Sequence, residues 1–174
     1  MNYAEIKPFD IANGPGVRVS LFVSGCTHHC KDCFNEIAWD FNYGSPFDQN
    51  TINSIIEMMK PFYIKGITYL GGEPFEPQNQ PGLLELSRKI KEVYPDKSIW
   101  CFTGYLFDKD ILAKKLGDWK ITEELLSYID VLVDGPFIAE LKNLSLRFRG
   151  SSNQRLIDIP KSLENNEVVL WSDE

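Results

Sequence analysis

The stretch VRVSLFVSGCTHHCKDC, residues 17–33, sets the reading of the whole chain. Its first seven residues alternate, with Val17, Val19, Leu21 and Val23 on one face, which is the period of a half-buried β-strand. Directly past the strand come Cys26, Cys30 and Cys33, spaced C-x3-C-x2-C. The chain has four cysteines, so all but Cys101 stand in this one loop. Such crowding is unlike a secreted disulfide framework, and in a reducing compartment it reads as metal binding.

Outward from this strand, strand and helix signals alternate. Ile52, Ile55, Ile56 and Met59 fall at helical spacing, which predicts a helix over 50–60 that stops at Pro61. GITYL (66–70) is a short apolar strand. Leu83, Leu86, Ile90 and Val93 return to helical spacing before Pro95. SIWCF (98–102) is a third strand. Ile111, Leu112 and Leu116 predict a helix that ends at Gly117, and Thr122, Glu123 and Glu124 open another turn. DVLVDG (130–135) is a fourth strand, and RLIDI and VVLW near the end predict two smaller ones. Strands separated by helices imply right-handed βα units, hence an α/β fold with a mainly parallel sheet. In such sheets functional groups gather past the C-terminal strand ends. The cysteines, GGEP (71–74), TGY (103–105) and DGP (134–136) each follow one of the four strands, so all are expected at one edge.

Composition is that of a soluble globular chain, 43% hydrophobic and 25% charged, and 174 residues fit one domain spanning 1–174. The N-terminal MNYAEIKPFD lacks the apolar run of a signal peptide, and no stretch approaches the length of a membrane span. The expected location is cytoplasmic, with no membrane partner. A net charge of −7 argues against direct nucleic-acid binding. Residues 141–155 run the other way, with Lys142, Arg147, Arg149 and Arg155 and no acid. They read either as a solvated loop or as a site for an anion or acidic partner.

Thiolates are soft ligands that suit zinc and iron–sulfur clusters. A structural zinc needs a fourth ligand, which His28 or His29 would have to supply from between two cysteine ligands. A cubane cluster takes four cysteines, so three leave one iron open to a substrate. Cys101 lies within a strand and reads as a buried thiol.

CTHHCKDC resembles the cluster motif of radical S-adenosylmethionine enzymes. NGPGVR (13–18), LFVSGCTHHCKDCFNEIAW (21–39), YLGGEP (69–74), FTGY (102–105), DVLVDGPF (130–137) and RGSSNQR (149–155) extend the resemblance in order along almost the whole chain. Together they are similar to the family that activates anaerobic ribonucleoside-triphosphate reductases. The resemblance implies a 4Fe–4S cluster on Cys26, Cys30 and Cys33, with S-adenosylmethionine chelating the fourth iron. It implies one electron from an external donor such as a flavodoxin-like protein. Reductive cleavage then gives a 5′-deoxyadenosyl radical that takes hydrogen from a glycine of the reductase, leaving a glycyl radical. The chemistry belongs to the cofactor, and the protein supplies placement and shielding.

The resemblance also implies roles along the sheet edge. Gly71 and Gly72 let the backbone approach the methionine end, and Glu73 or nearby carbonyls accept from its ammonium; outside this context GGEP is a plain βα turn. Thr103 and Gly104 line the nucleotide or form another turn. Asp134 contacts ribose or methionine, or caps a helix. Asn153 and Arg149 reach the nucleotide or the partner. Phe34 meets the adenine, or packs about the cluster loop with Trp39. Asp32 stands before Cys33 where many members of the superfamily have an aromatic, which narrows the subfamily and weakens the adenine assignment. A full eight-stranded barrel needs roughly 200 residues or more, so the resemblance implies a partial, open βα barrel. An activase of another glycyl-radical enzyme, such as pyruvate formate-lyase, and a small zinc-binding interaction module are the alternative readings.

Overall fold

The computed structural model describes residues 1–33 and 36–172. Seven strands form one mixed sheet in the order β3-β1-β2-β4-β5-β6-β7. They are β1 (Asn2–Asp10), β2 (Val17–Val23), β3 (Ser45–Pro46), β4 (Ile64–Gly71), β5 (Ser98–Phe102), β6 (Val131–Asp134) and β7 (Arg155–Asp158). The middle four, β2, β4, β5 and β6, are mutually parallel; β1 and β7 flank them antiparallel. Each parallel crossover moves one place in the same direction. Right-handed connections then lay α1 (Gln49–Met58), α2 (Gln80–Val93) and α3 (Trp119–Tyr128) on one face of the sheet. A short α4 (Ile159–Asn165) follows β7.

The period of two decides what each face holds. Leu21, Tyr69, Cys101, Leu132 and Ile157 stand in one row across five strands, all fully buried under the helices. Helix residues Ile52, Ile55, Leu83, Leu86, Ile90 and Leu125 complete that core. The opposite face carries Arg18, Phe22, Leu70, Trp100 and Phe102, and it is covered only in part. Phe148 and Trp171 pack edge-on against Trp100 at 5.3 and 4.9 Å.

Local chemistry explains the boundaries. Asp48 accepts from Thr51 N at 3.0 Å while Thr51 Oγ accepts from Asp48 N, a reciprocal cap that starts α1. Asp118 and Asp158 cap α3 and α4 one way only, their carboxylates accepting from Lys120 N and Lys161 N. The helix expected at 111–116 is instead one wide turn, Phe107–Ile111, with i→i+5 bonds from Ile111 N to Leu106 O and Leu112 N to Phe107 O. Gly117 closes that segment with φ +80°, and α3 begins at Trp119, three residues ahead of the expected start. VVLW makes a single bridge, Leu170 to Ile157, not a strand. β1 carries no alternating apolar pattern because most of it is an exposed sheet margin with Glu5, Lys7 and Pro8.

Candidate functional site

Because β2, β4, β5 and β6 are parallel neighbours, their C-terminal ends share one edge, and the four motifs meet there. Val23 pairs with Gly71 in the ladder. The two strand-end loops are then laced together. Gly72 N donates to Val23 O at 2.8 Å, Glu73 N to Gly25 O at 2.8 Å, and Gly25 N to Ala38 O at 2.6 Å. A Cβ on Gly72 would stand 2.6 Å from Gly25 O and 2.9 Å from Ala38 O, so only glycine fits between these backbones. Asn79 locks the join from below, donating to Ser24 O at 3.1 Å and Glu73 O at 2.9 Å.

Cys26, Cys30 and Cys33 are all free thiols on the wall of one cavity of about 750 Å³. The cavity opens on the sheet face away from the helices, where Phe22, Leu70 and Phe102 form its floor. Gly71, Gly72, Glu73, Thr103 and Gly104 stand at the same end as the cysteines. Lys142, Arg149 and Gln154 also line the cavity, and Gln154 Nε2 donates to Gly135 O at 3.0 Å just past the end of β6. The loop turns tightly: Cys33 N bonds Cys30 O at 3.2 Å, and His29 and Asp32 take left-handed φ of 50° and 57°. Burial pushes the Cys26 thiol up to about 11, with the charges of Glu73 and Glu76 adding to it against backbone N–H bonds from His28 and His29. Burial also raises Cys30, against an N–H from Phe137. Burial thus disfavours the thiolate at Cys26 and Cys30, and a bound cationic centre would offset it.

The donor set fits an iron–sulfur cluster better than a lone zinc. His28 Nε2 lies 2.7 Å from Glu73 Oε1, and His29 stacks flat on Trp39 at 4.2 Å, so both histidines are engaged away from the thiols. Burial lowers the His28 pKa, but the hydrogen bond and charge of Glu73 outweigh it, and the net shift is upward.

Several expected site residues stand elsewhere than at the cavity wall. Asp134 is fully buried, and its carboxylate accepts from Arg155 Nε at 2.9 Å, Arg155 Nη2 at 2.6 Å and Phe107 N at 2.8 Å. Asn153 donates to Pro136 O at 2.8 Å. Their neighbours Gly135 and Gln154 line the cavity instead. Phe34 lies outside the described residues. Of the basic segment, Arg155 is bound to Asp134 and Asp108, while Lys142 and Arg149 line the cavity. Arg155→Ala strands a buried carboxylate with one donor. It is expected to cost about 2 kcal/mol, less than a fully buried pair because the arginine is partly exposed, read as a loss in urea midpoint at unchanged slope.

Glu76 and Asn79 lie outside the expected motifs, and Thr27 and Tyr105 stand within them with no role foreseen from sequence. Glu76 is 5% exposed and accepts from Thr27 Oγ at 2.8 Å and Tyr105 Oη at 2.7 Å. The available signal was a second acid three residues after Glu73, just past the end of an apolar strand.

A family model described as a 4Fe-4S single cluster domain matches residues 12–157. The chain is 44% identical to the anaerobic ribonucleoside-triphosphate reductase-activating protein of Escherichia coli K12, over 88% of this chain and 96% of the relative. It is 45% identical to that of Haemophilus influenzae over the same shares, and 42% identical to that of Enterobacteria phage T4 over 90% and 93%. With the cysteine loop and the GGEP turn joined on one cavity wall, and relatives matched over nearly their full length, the chain belongs to the family of anaerobic ribonucleoside-triphosphate reductase-activating proteins.

Proposed function

We propose that this chain activates an anaerobic ribonucleoside-triphosphate reductase by cleaving S-adenosylmethionine at a 4Fe–4S cluster. The observation that carries the reading is the placement of three free cysteines and the GGEP turn on one wall of a cavity of about 750 Å³. That volume lies within the range of small-molecule sites, roughly 300–1,000 Å³. Cys26, Cys30 and Cys33 would hold the cluster. When bound there, such a cluster would supply the one-electron reduction that cleaves S-adenosylmethionine and leads to hydrogen abstraction from a glycine of the reductase.

The chain's own residues bind and shield. The backbone of Gly71 and Gly72 gives the methionine end a surface without side chains, and carbonyls there accept from its ammonium. Thr103 and Gly104 border the nucleotide. Phe22, Leu70 and Phe102 keep the floor of the cavity apolar, which excludes water from a reactive radical. Arg149 and Gln154 on the cavity wall face the glycine-bearing segment, and Lys142 lines the same cavity. The four parallel strands beside that cavity are read as a partial, open barrel in one domain. Its open side admits a large protein. No helix among the described residues is long and apolar enough to cross a membrane, which accords with a cytoplasmic site of action beside the reductase and a flavodoxin-like donor. The relatives, named for activating anaerobic ribonucleoside-triphosphate reductase, favour this target over pyruvate formate-lyase.

Anaerobic reconstitution is expected to give a brown protein with about four irons per chain. Reduced in the presence of S-adenosylmethionine and the reductase, it should produce a glycyl radical doublet in the EPR spectrum of the reductase. A colourless product that takes up one zinc per chain, or a reconstituted cluster that leaves the reductase without a radical, overturns the proposal.

A further inference from the structure

Glu73 is the most heavily used side chain at the sheet edge. It is 1% exposed, and each carboxylate oxygen has two partners. Oε1 meets His28 Nε2 at 2.7 Å and Gly104 N at 2.6 Å. Oε2 meets Phe75 N at 2.7 Å and Thr103 Oγ at 2.8 Å. A carboxylate offers about four lone-pair directions, and here all are taken by the protein. These partners come from three separate loops: the cysteine loop, the GGEP turn and the loop after β5. One buried carboxylate therefore ties three strand ends together.

The contact with the cysteine loop runs through His28 alone. Its ring lies against Gly104, where a Cβ would stand 2.7 Å from both Cδ2 and Nε2, so residue 104 must be glycine for the ring to reach Glu73. Tyr105 meets the ring edge-on at 4.3 Å. One residue earlier, Thr27 bonds Glu76, which also holds Tyr105. The first half of the loop is thus pinned at 27 and 28 by the two acids of one short segment. The second half is held by other contacts: His29 stacks on Trp39 at 4.2 Å, Phe137 N–H bonds the Cys30 sulfur, and the exposed Lys31 reaches Glu140 at 3.8 Å.

We propose that His28 and Glu73 form a positioning pair that fixes the Cys26–Cys33 loop against the GGEP turn and the β5 loop before any iron is bound. Glu73 then acts on the site through His28 and the backbone at 103–104, not by touching a ligand. The pair sets where Cys26 and Cys30 present their sulfurs, because His28 stands midway between them. The inference concerns the same site as the function proposed above and is consistent with it, but its first test does not use that function.

The test is hydrogen exchange on the full-length, cluster-free protein, followed peptide by peptide. His28→Ala is expected to speed exchange across residues 26–33 roughly tenfold while peptides from α2 and β4 stay unchanged. His28→Gln carries an N–H at nearly the same reach as Nε2 and should restore most of the protection. Glu73→Gln keeps shape but replaces one acceptor by a donor, and should speed the same segment. Exchange within twofold of wild type in His28→Ala, or Gln no better than Ala, overturns the pair. Where Glu73→Gln fails to fold, the two His28 variants still decide the matter. A second readout uses the reconstituted, reduced protein. A changed position of the cluster ligands moves the EPR g-values of the loaded fraction in His28→Ala and returns them in His28→Gln. Loss of signal intensity at unchanged g-values in His28→Ala overturns positioning in favour of mere loop stability. If exchange behaves as expected yet no glycyl radical forms in any assay, the positioning pair stands and the proposed function falls.

Discussion

Replacing Cys26, Cys30 or Cys33 by alanine, one at a time, is expected to abolish reductive cleavage of S-adenosylmethionine. Loss of an outer partner of a metal ligand costs 10–100-fold in affinity or activity, and loss of a ligand itself should exceed that, so more than roughly 100-fold is expected. The geometry gives no replacement: His28 is held by Glu73, His29 lies on Trp39, and Cys101 is on the helix side of the sheet. Cys101→Ala is the internal control. That thiol is fully buried between Tyr69 and Leu132 in its row, and burial holds its pKa well above the usual thiol range. Its loss removes one small packed group, about 1 kcal/mol, and should leave most activity. Iron per chain and 5′-deoxyadenosine release under dithionite check all four variants. Full cleavage by any of the first three removes that cysteine from the ligand set, and loss of cleavage in Cys101→Ala at normal iron content gives Cys101 an unforeseen role.

What was legible in the sequence was what depends on period and order. Val17, Val19, Leu21 and Val23 alternate because one face of β2 is buried under helices, and the apolar runs of β4, β5 and β6 reflect cover on both faces. Order along the chain was enough to put the cysteines, GGEP, TGY and DGP at one edge, since consecutive parallel strands are neighbours in this sheet. What was not legible depends on where one polar side chain finds another across the fold. Asp134 ends an apolar strand and is expected to contact ribose or methionine or to cap a helix, yet Arg155 comes from β7 to meet it. Glu73 reads as a ligand acceptor in GGEP, yet its four partners come from three loops that are distant in sequence. Glu76 lies outside every quoted motif, and Thr27 stands inside the cysteine motif with nothing in the sequence to mark its partner. The widened turn at 107–111 escaped for a similar reason: Asp110 bonds Leu106 N, a competing local partner that helical spacing alone does not reveal.

Arg18→Ala is expected to destabilise the protein by about 3–5 kcal/mol, from lost charge-assisted hydrogen bonds together with the cavity left behind. Arg18 sits in β2 between two valines, on the face opposite the helices and near the sheet end away from the cysteines. It is 1% exposed and has no carboxylate within ion-pair reach among the described residues. Its guanidinium is solvated by neutral groups instead. Nε donates to Thr68 Oγ at 3.0 Å, Nη1 to Pro15 O at 3.3 Å and Ser98 Oγ at 2.9 Å, and Nη2 to Ile67 O at 2.9 Å and Ser98 O at 3.0 Å. The ring of Trp100 lies 5.8 Å below. Burial pulls its pKa down to about 10, partly offset by the more distant charge of Asp130, so it stays cationic at neutral pH. Three neighbouring strands and the 13–16 loop are joined through this one fork, a task the single ammonium of lysine cannot span. Arg18→Met separates the two contributions, because it fills the stem volume and loses only the fork; it should fall between wild type and Ala. For a chain of this length each kcal/mol moves the melting temperature by about 2–4 °C, so Ala should lower it by roughly 10 °C. The cysteine edge lies at the other end of the strands, so iron loading below the new transition should stay normal. An Ala variant that melts within 2 °C of wild type would mean that water replaces the guanidinium without penalty and that this buried cation does not hold the strands together.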